Sequence, residues 1–129
     1  MAEPGQGFYP YQAPIDGYGN GGFRFAGMSH RGSLLCLPTG MHKWDVSKPG
    51  EISLDNLQPL LDVADQIDVL LIGLGTEVFG LDREIKQQLR DRRIIVEAVA
   101  TGGAVRTYNI LLGESRAVGA ALIAVENPR

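Results

Sequence analysis

The run from Val118 to Val125 constrains the fold more than any other part of the chain. It reads Val-Gly-Ala-Ala-Leu-Ile-Ala-Val and contains no polar side chain. A β-strand presents alternate side chains to opposite faces of its sheet, so a strand that is apolar at every position needs cover on both faces. We therefore predict a strand here, in the centre of a sheet and not at its edge.

The segments before this run alternate between strand and helix patterns. Residues 68–72 are apolar after the first position, and residues 94–99 are apolar except at Glu97. Residues 81–90 place apolar side chains at every fourth position of an otherwise charged or polar segment, which is typical of an amphipathic helix. A second helix is predicted over 104–114. This alternation predicts an α/β fold with a largely parallel sheet and helices on its faces.

The first half of the chain gives weaker signals. Residues 23–25 alternate, residues 27–32 offer a turn, and residues 33–37 are apolar, so we predict a β-hairpin with a long loop. Residues 38–52 follow as a predicted loop. Leucines at helical spacing then predict a helix that begins near Pro59.

Composition limits the classes of function. A length of 129 residues fits one domain, and a net charge of −3 with no segregated basic patch argues against nucleic-acid binding. Cys36 is the single cysteine and lies in an apolar run, so we interpret it as a buried side chain. Together with His30 and His42 it has no metal-type spacing, and we predict neither a metal site nor a cofactor.

The N-terminal residues differ in composition from the rest. Residues 1–22 contain six glycines, three prolines and four aromatic side chains, and no Lys or Arg. We predict a flexible Gly/Pro/Tyr-rich arm over 1–22, which lies either on its own domain or on a partner subunit, and one α/β domain over 23–129. Neither a targeting peptide nor a membrane span is expected, and the predicted location is cytoplasmic.

Three predicted loops follow strands directly, over residues 39–45, 73–76 and 101–103, and the last two are rich in glycine. In such folds, ligands bind at the carboxyl edge of the parallel strands. If the three preceding strands are parallel, all three loops meet at one edge. The glycines from Gly73 to Gly80 match neither known phosphate-binding fingerprint. Val78 stands where the dinucleotide motif that begins at Gly73 needs its last glycine, and Leu81-Asp82 follows Gly80 where the P-loop needs Lys and Ser/Thr. The candidate ligand-binding residues are Thr39, Trp44, Gly73, Gly75, Thr101, Gly102, Gly103 and Arg106.

The loop that leads into the helix predicted over 104–114 gives the most specific signal of the three. Thr101 is the predicted cap, the following glycines leave backbone N–H groups accessible, and Arg106 lies one turn into the helix. Together they predict an anion or carboxylate site. The alternative is that Arg106 pairs with a carboxylate of the same chain, for which Asp45 and Glu97 are candidates. No catalytic residue is predicted, and whether the protein is an enzyme stays open.

An ordered set of short motifs resembles a known family. It comprises Gly22-Phe23-Arg24-Phe25, Leu37-Pro38-Thr39-Gly40, Trp44, the strand from Asp68 to Gly75, and Thr101-Gly102 with Arg106-Thr107-Tyr108-Asn109. The family consists of small domains of unknown function and includes mitochondrial complex I assembly factor three and an adipogenesis-associated domain protein. The resemblance runs from about Ile15 to Val125. The chain departs from the family in carrying no mitochondrial presequence and in Gly103, where relatives often carry alanine, and the first departure suggests a bacterial member.

The resemblance implies a three-layer α/β fold with a mixed central β-sheet of about five strands. It also implies one strand antiparallel to the others, for which the last strand is our candidate. It implies a non-enzymatic role in assembling respiratory complex I for the mitochondrial relatives. We keep two hypotheses of function. The first is an interaction or assembly protein with a protein partner, compatible with a homo-oligomer. The second, based on the three loops, is a protein that binds a small molecule or anion, or an enzyme, at the carboxyl edge of the sheet.

Overall fold

A mixed six-stranded sheet forms the centre of the protein. The computed structural model describes residues 8–76 and 81–128. The sheet is built from β1 (Phe8–Tyr9), β5 (Ser33–Leu37), β6 (Gly40–Trp44), β7 (Val69–Gly73), β8 (Ile95–Val99) and β9 (Val118–Leu122). Its strand order is β1-β6-β5-β9-β7-β8, so the protein has an α/β fold with six strands in its main sheet.

The position of β9 was predicted correctly and its direction was not. β9 lies between β5 and β7, as its apolar sequence requires. It is parallel to β7, which is parallel to β8, whereas β5 is antiparallel to β9. The prediction that the last strand is the antiparallel one is therefore wrong. A helix connects β8 to β9 and returns the chain in the same direction, whereas β5 continues through a tight turn into β6, its antiparallel neighbour.

A second, three-stranded sheet corrects the predicted hairpin. It contains β2 (Gly17–Gly19), β3 (Gly22–Phe25) and β4 (Met28–Arg31), all antiparallel. The partner of β3 is thus β4, not residues 33–37. The turn between them contains only Ala26 and Gly27, and both have a positive φ. This left-handed conformation is the one that a tight hairpin turn requires.

The predicted loop over 38–52 contains a strand. Leu37 pairs with Gly40, which leaves only Pro38 and Thr39 in the turn between β5 and β6. Gly40 permits this turn because its φ is positive and because a Cβ there would clash with the carbonyl oxygen of Tyr9, a combination that only glycine tolerates. The rest of the segment is irregular apart from a short 3-10 turn at Pro49–Glu51.

Residues 8–22, within the predicted arm, lie against their own chain. β1 pairs with β6, β2 belongs to the small sheet, and Ala13 and Ile15 are buried. The prediction that this segment lacks regular structure is wrong for these two strands. Residues 1–7, the remainder of the predicted arm, lie outside the described residues.

The main sheet is covered differently on its two faces. The first face packs against residues 46–67, which contain the short helix α1 (Gln58–Leu61), and against α2 (Arg83–Asp91). The second face packs against α3 (Thr101–Gly113), the N-terminal segment 8–16 and the small sheet. β9 contributes side chains to both faces, which explains its unbroken apolar sequence.

The described residues give two negative findings, one on membrane spans and one on metal sites. Across residues 8–76 and 81–128, no helix has the length and apolar character needed to cross a membrane. The same part of the chain contains no group of three or more His, Cys, Asp or Glu side chains placed to hold a metal ion.

Candidate functional site

Thr101 joins the two predicted glycine loops at the carboxyl edge of the parallel strands. Its hydroxyl donates to the carbonyl oxygen of Ile123 at 2.7 Å and accepts from the backbone N–H of Gly75 at 3.0 Å. Its own backbone N–H donates to the carbonyl oxygen of Gly75 at 3.0 Å. The side chain is fully buried, so these bonds connect three loops and satisfy the hydroxyl inside the protein.

This arrangement corrects the predicted cap of the second helix. α3 begins at Thr101 and not at residue 104, and Ala100 is its N-cap residue, without a side-chain bond. The Thr101 hydroxyl bonds instead to backbone groups of two neighbouring loops. Thr101 therefore holds the edge together and does not cap the helix.

Gly73 is required by close packing at the same edge. A Cβ at Gly73 would lie 2.9 Å from both the Cα and the hydroxyl of Thr101. That is too close for any real side chain, and glycine in a strand often marks such a close approach of two backbones. β7 and the start of α3 are thus in direct backbone contact. The space that a ligand would need between them is filled by the protein itself.

Arg106 lies on the exposed side of α3, near its first turn. One guanidinium nitrogen lies 4.0 Å from the position of a Cβ on Gly103. Neither Asp45 nor Glu97, the two predicted pairing partners, makes an ion pair with it, and within residues 8–76 and 81–128 the structure gives one ion pair, Lys43 with Asp45 at 3.7 Å. The guanidinium therefore remains available near the start of the helix.

Thr39 is not part of this edge. It lies in the turn after β5, and because β5 is antiparallel to β9, that turn is at the amino end of the parallel strands. Its hydroxyl is 3.1 Å from Nε2 of His42, and the His42 ring also packs against Phe8 at a centroid distance of 4.7 Å. The prediction that three loops meet at one edge is wrong for this loop. Partial burial lowers the pKa of His42 from its ordinary value.

Trp44 is mainly a core residue. Only 3% of it is exposed, and it belongs to the apolar cluster on the first face. The indole N–H donates to the carbonyl oxygen of Asn56 at 3.0 Å, which satisfies the one polar atom of the ring. The ring anchors the irregular segment after β6 to the sheet.

The cavities at the carboxyl edge differ in size. The one lined by Gly75, Thr76 and Gly102 is small, with a volume of ≈ 40 Å³. It has room for little more than water. A wider open cleft of ≈ 370 Å³ lies between residues 47–49 and 123–127. Neither Arg106 nor Gly103 lines either cavity. The structure thus brings Gly73, Gly75, Thr101 and Gly102 together and places Arg106 outside the space between them.

Sequence reasoning missed a polar attachment on the second face. The Tyr108 hydroxyl donates to the carbonyl oxygen of Ala13 at 2.8 Å, and the Asn109 amide makes two bonds of 2.8 Å with the backbone of Ile15. Burial raises the pKa values of Tyr108 and of the neighbouring thiol of Cys36 well above their ordinary values. Both side chains therefore stay uncharged, and their role is structural. The adjacent Tyr-Asn pair was visible in the sequence, but its partners lie more than 90 residues away.

Sequence reasoning also missed a cleft on the small sheet. Its volume is ≈ 560 Å³, and Arg24, Ser29 and Arg31 line it together with glycines of β2 and β3. The sequence feature that could have indicated this cleft is the alternating pattern of Met-Ser-His-Arg in β4. The same residues also fit a turn, so this signal is ambiguous.

The chain matches known proteins over most of its length. The family model described as protein of unknown function (DUF498/DUF598) matches residues 15–123. An uncharacterized protein of Rhodobacter capsulatus is 40% identical over 85% of this chain and 83% of its own length. A mouse protein named NADH dehydrogenase (ubiquinone) 1 alpha subcomplex assembly factor 3 is 30% identical over 92% of this chain. The match covers 64% of the mouse protein, so this chain spans less than two thirds of that relative.

Solved structures show the same fold. A crystal structure described as an outer membrane protein from Bartonella henselae is 50% identical, covers 92% of this chain and 99% of that chain, and has a TM-score of 0.87. A solution structure of a Bordetella pertussis protein, described as an Mth938-like domain, has a TM-score of 0.78 at 24% identity and covers 99% of this chain and 93% of that one. At that identity the likeness concerns the fold alone. By its sequence match and its fold, the chain belongs to the family of proteins of unknown function DUF498/DUF598.

Proposed function

We propose that this protein is a non-enzymatic interaction protein that assists the assembly of a multi-subunit NADH dehydrogenase. One observation carries the proposal: relatives named as assembly factors of this enzyme match 84% to 92% of the chain at 30% to 34% identity. An assembly factor must hold a subunit through a surface of its own. The proposal therefore requires a surface suited to a protein segment.

The edge strand β8 offers such a surface. It is the last strand of the main sheet, and no strand among the described residues pairs with its outer side. Ile95 in this strand is 61% exposed, while Val96, Ala98 and Val99 are partly exposed. Edge strands present unpaired backbone N–H and carbonyl groups that can accept a further strand. We propose that an extended, apolar segment of an unassembled subunit adds to β8.

The function is tested by deleting the gene in cells that produce this protein. We expect less assembled NADH dehydrogenase on native gels and lower NADH:quinone oxidoreductase activity in membranes, with both restored by the wild-type gene. Fractionation of the same cells tests the cytoplasmic location, which stays a prediction. An unchanged amount of assembled enzyme in the deletion strain would contradict the proposed function.

The surface is tested by complementing that strain with two matched variants. Ile95→Lys places a charge on the edge strand, whereas Ile110→Lys makes the same change on α3 at an equally exposed position, 60% against 61%. We expect Ile95→Lys to fail to restore assembly and Ile110→Lys to restore it, with both variants unfolding at the wild-type temperature. Restoration by both variants would remove β8 from the proposal and leave the function itself standing.

A second candidate function is the binding of a small anion at the start of α3. The observation that favours it is the guanidinium of Arg106 beside Gly103, with no ion pair to any described carboxylate. Backbone N–H groups in the first turn of a helix add to the attraction for anions. The proposed site consists of the partly exposed backbone at Gly103 and the guanidinium of Arg106, which is the charged donor.

Thermal shift with phosphate, nucleotides and carboxylates tests this second function. A ligand at about 100 times its dissociation constant stabilises the fold by about 2.7 kcal/mol. We expect the shift to disappear in Arg106→Ala and to persist in Arg116→Ala, a matched exposed arginine beyond the end of the same helix. An equal shift in both variants would rule out the helix start as the site.

A further inference from the structure

The three-stranded sheet presents one face to the core and one to solvent. Phe23 pairs with His30 and Phe25 with Met28, and both phenylalanines are buried in the second-face cluster. Because side chains alternate along a strand, Arg24 and its partner Ser29 point to the opposite face. The outer face is therefore polar.

Glycines make this outer face concave. Gly22 pairs with Arg31 and with Gly19, and Gly17 pairs with Arg24, so these glycines share the outer face with the two arginines. All three glycines line the cleft of ≈ 560 Å³. Gly17 is the most open position, because only the Arg24 side chain lies within 4.0 Å of a Cβ there, whereas Pro128 lies against Gly19 and the backbone of His30 against Gly22. Small-molecule sites in proteins commonly have volumes on the order of 300–1,000 Å³.

The two arginines lie close together over this floor. Arg31 is two residues beyond Ser29, the direct partner of Arg24. Diagonal neighbours of this kind in an antiparallel pair lie within reach of each other when their side chains are long. The side chain of Arg24 extends over Gly17, whose Cβ position is 4.0 Å from the Arg24 Cδ. Both guanidinium groups therefore reach the same volume.

The charge of the cleft is uncompensated. Both arginines are exposed, and within residues 8–76 and 81–128 neither forms an ion pair. None of the described residues that line the cleft is an aspartate or glutamate. His30, which also lines it, directs its Nε2 to the carbonyl oxygen of Ser33 at 3.0 Å and is thus committed to the fold. Two like charges that share one volume repel each other, and a ligand with two negative charges removes that repulsion.

We propose that this cleft is a binding site for a small molecule that carries a phosphate dianion. Arg24 and Arg31 supply planar donor forks that match phosphate oxygens, and the Ser29 hydroxyl, on the same face, adds a donor. The glycine floor admits the rest of the ligand. The site is separate from β8 and from Arg106, so it goes beyond both proposed functions.

Calorimetric titration with pyrophosphate and inorganic phosphate tests the charged pair. We expect Arg24→Ala and Arg31→Ala each to weaken pyrophosphate binding about 10-fold or more, because each removes a hydrogen bond between charged groups. Arg83→Ala, at an exposed arginine of α2, serves as the control and should retain the wild-type affinity. Malonate is titrated in parallel as a carboxylate of similar charge.

A second variant tests the shape of the cleft with both charges in place. Gly17 has no left-handed φ, and its nearest contact across the sheet is the flexible side chain of Arg24, so Gly17→Val is compatible with the fold. Its side chain would fill the floor beneath Arg24, and we expect binding to fall about 10-fold with an unchanged unfolding temperature.

Four outcomes would overturn the proposal. Wild-type affinity in Arg24→Ala and Arg31→Ala would remove the arginine pair. Equal losses in Arg83→Ala would show that pyrophosphate binds by general charge attraction. Tighter binding of malonate than of pyrophosphate would show that the ligand is not a phosphate. Full affinity in Gly17→Val would show that binding does not need the cleft.

Discussion

The two faces of the main sheet are held by different kinds of interaction. The first face relies on apolar packing, with leucines, isoleucines, Trp44 and Val46 buried between the sheet, α2 and the irregular segment 46–67. The second face has an apolar cluster too, but its N-terminal cover is attached through directional bonds from Gln12, Tyr108 and Asn109. An apolar contact tolerates irregular backbone, whereas an extended segment over a helix needs partners for its own N–H and carbonyl groups.

This difference explains why residues 8–16 of the predicted Gly/Pro-rich arm have a defined place on the domain. Within residues 12–15 only Ala13 and Ile15 are buried, so apolar area alone would hold the segment weakly. The Asn109 amide replaces a strand partner by bonding both backbone groups of Ile15. Polar residues on a helix thus do here what a neighbouring strand does elsewhere in the sheet.

The largest effect is expected from a cavity on the first face. Leu60 in α1 is fully buried in the apolar cluster. Leu60→Ala should lower the free energy of unfolding by about 2–5 kcal/mol, because apolar burial is lost and a cavity remains. Urea unfolding measures this, with Ile110→Ala as the exposed control at about 0.5 kcal/mol or less. Equal losses in both variants would refute the apolar account of this face.

Removing one directional bond tests the second face. Tyr108→Phe deletes the hydroxyl that donates to Ala13 and leaves a buried carbonyl oxygen unpaired. We expect a loss of about 1–3 kcal/mol in unfolding free energy, together with faster hydrogen exchange at residues 13–15. Tyr11→Phe, at a position 68% exposed, is the control. If hydrogen exchange became faster throughout the protein, and not mainly at residues 13–15, the result would argue against a local attachment.

A gain in stability is expected at the end of α3. Gly113 has no left-handed φ, and a Cβ there would have no neighbour within 4 Å. Gly113→Ala should raise the free energy of unfolding by about 0.4–1 kcal/mol, because the unfolded chain loses conformational freedom. Gly73→Ala is the contrasting change and should destabilise, since its Cβ meets the backbone of Thr101. If Gly73 and Thr101 are in close contact, Gly113→Ala should raise the unfolding temperature and Gly73→Ala should lower it.

The smallest effect is a pH dependence at the rim of the first face. Burial lowers the pKa of His42 below its ordinary value of 6.5, so the unfolded chain binds this proton more readily than the folded protein does. The contribution of the neutral ring to the free energy of unfolding is fully present above the pKa that His42 has in the unfolded chain. It declines as the pH falls below about 6.5. His42→Gln should therefore show a smaller drop in unfolding temperature between pH 7.5 and 5.5 than the wild type. An identical drop would show that other groups cause it.

Local patterns predicted the parallel half of the sheet well. β7, β8, α2 and β9 each have a nearly continuous apolar run or an amphipathic stripe, and these signals need no knowledge of distant residues. The antiparallel half was predicted poorly. β4 and β6 are short and carry polar side chains among apolar ones, so their sequences also fit turns and loops.

The candidate site was likewise predicted only in part from the sequence. The sequence predicted that Gly75 and Thr101 lie at one edge, because both follow parallel strands, and the two residues are in fact hydrogen-bonded. It did not predict that the Thr101 hydroxyl is fully used by Gly75 and Ile123, nor that Thr39 lies at the other end of the sheet. Those facts depend on which groups compete for a bond and on the direction of a strand.

The sequence by itself determined the α/β class, the central position of β9 and the family, because each depends on side-chain character along a continuous segment. Only the tertiary structure decided the direction of β5, the attachment of Ala13 and Ile15 by α3, and the presence of Arg24 and Arg31 in one cleft. The physical reason is distance along the chain. Tyr108 and Ala13 are 95 residues apart, and a hydrogen bond over such a separation leaves no periodic trace in the sequence.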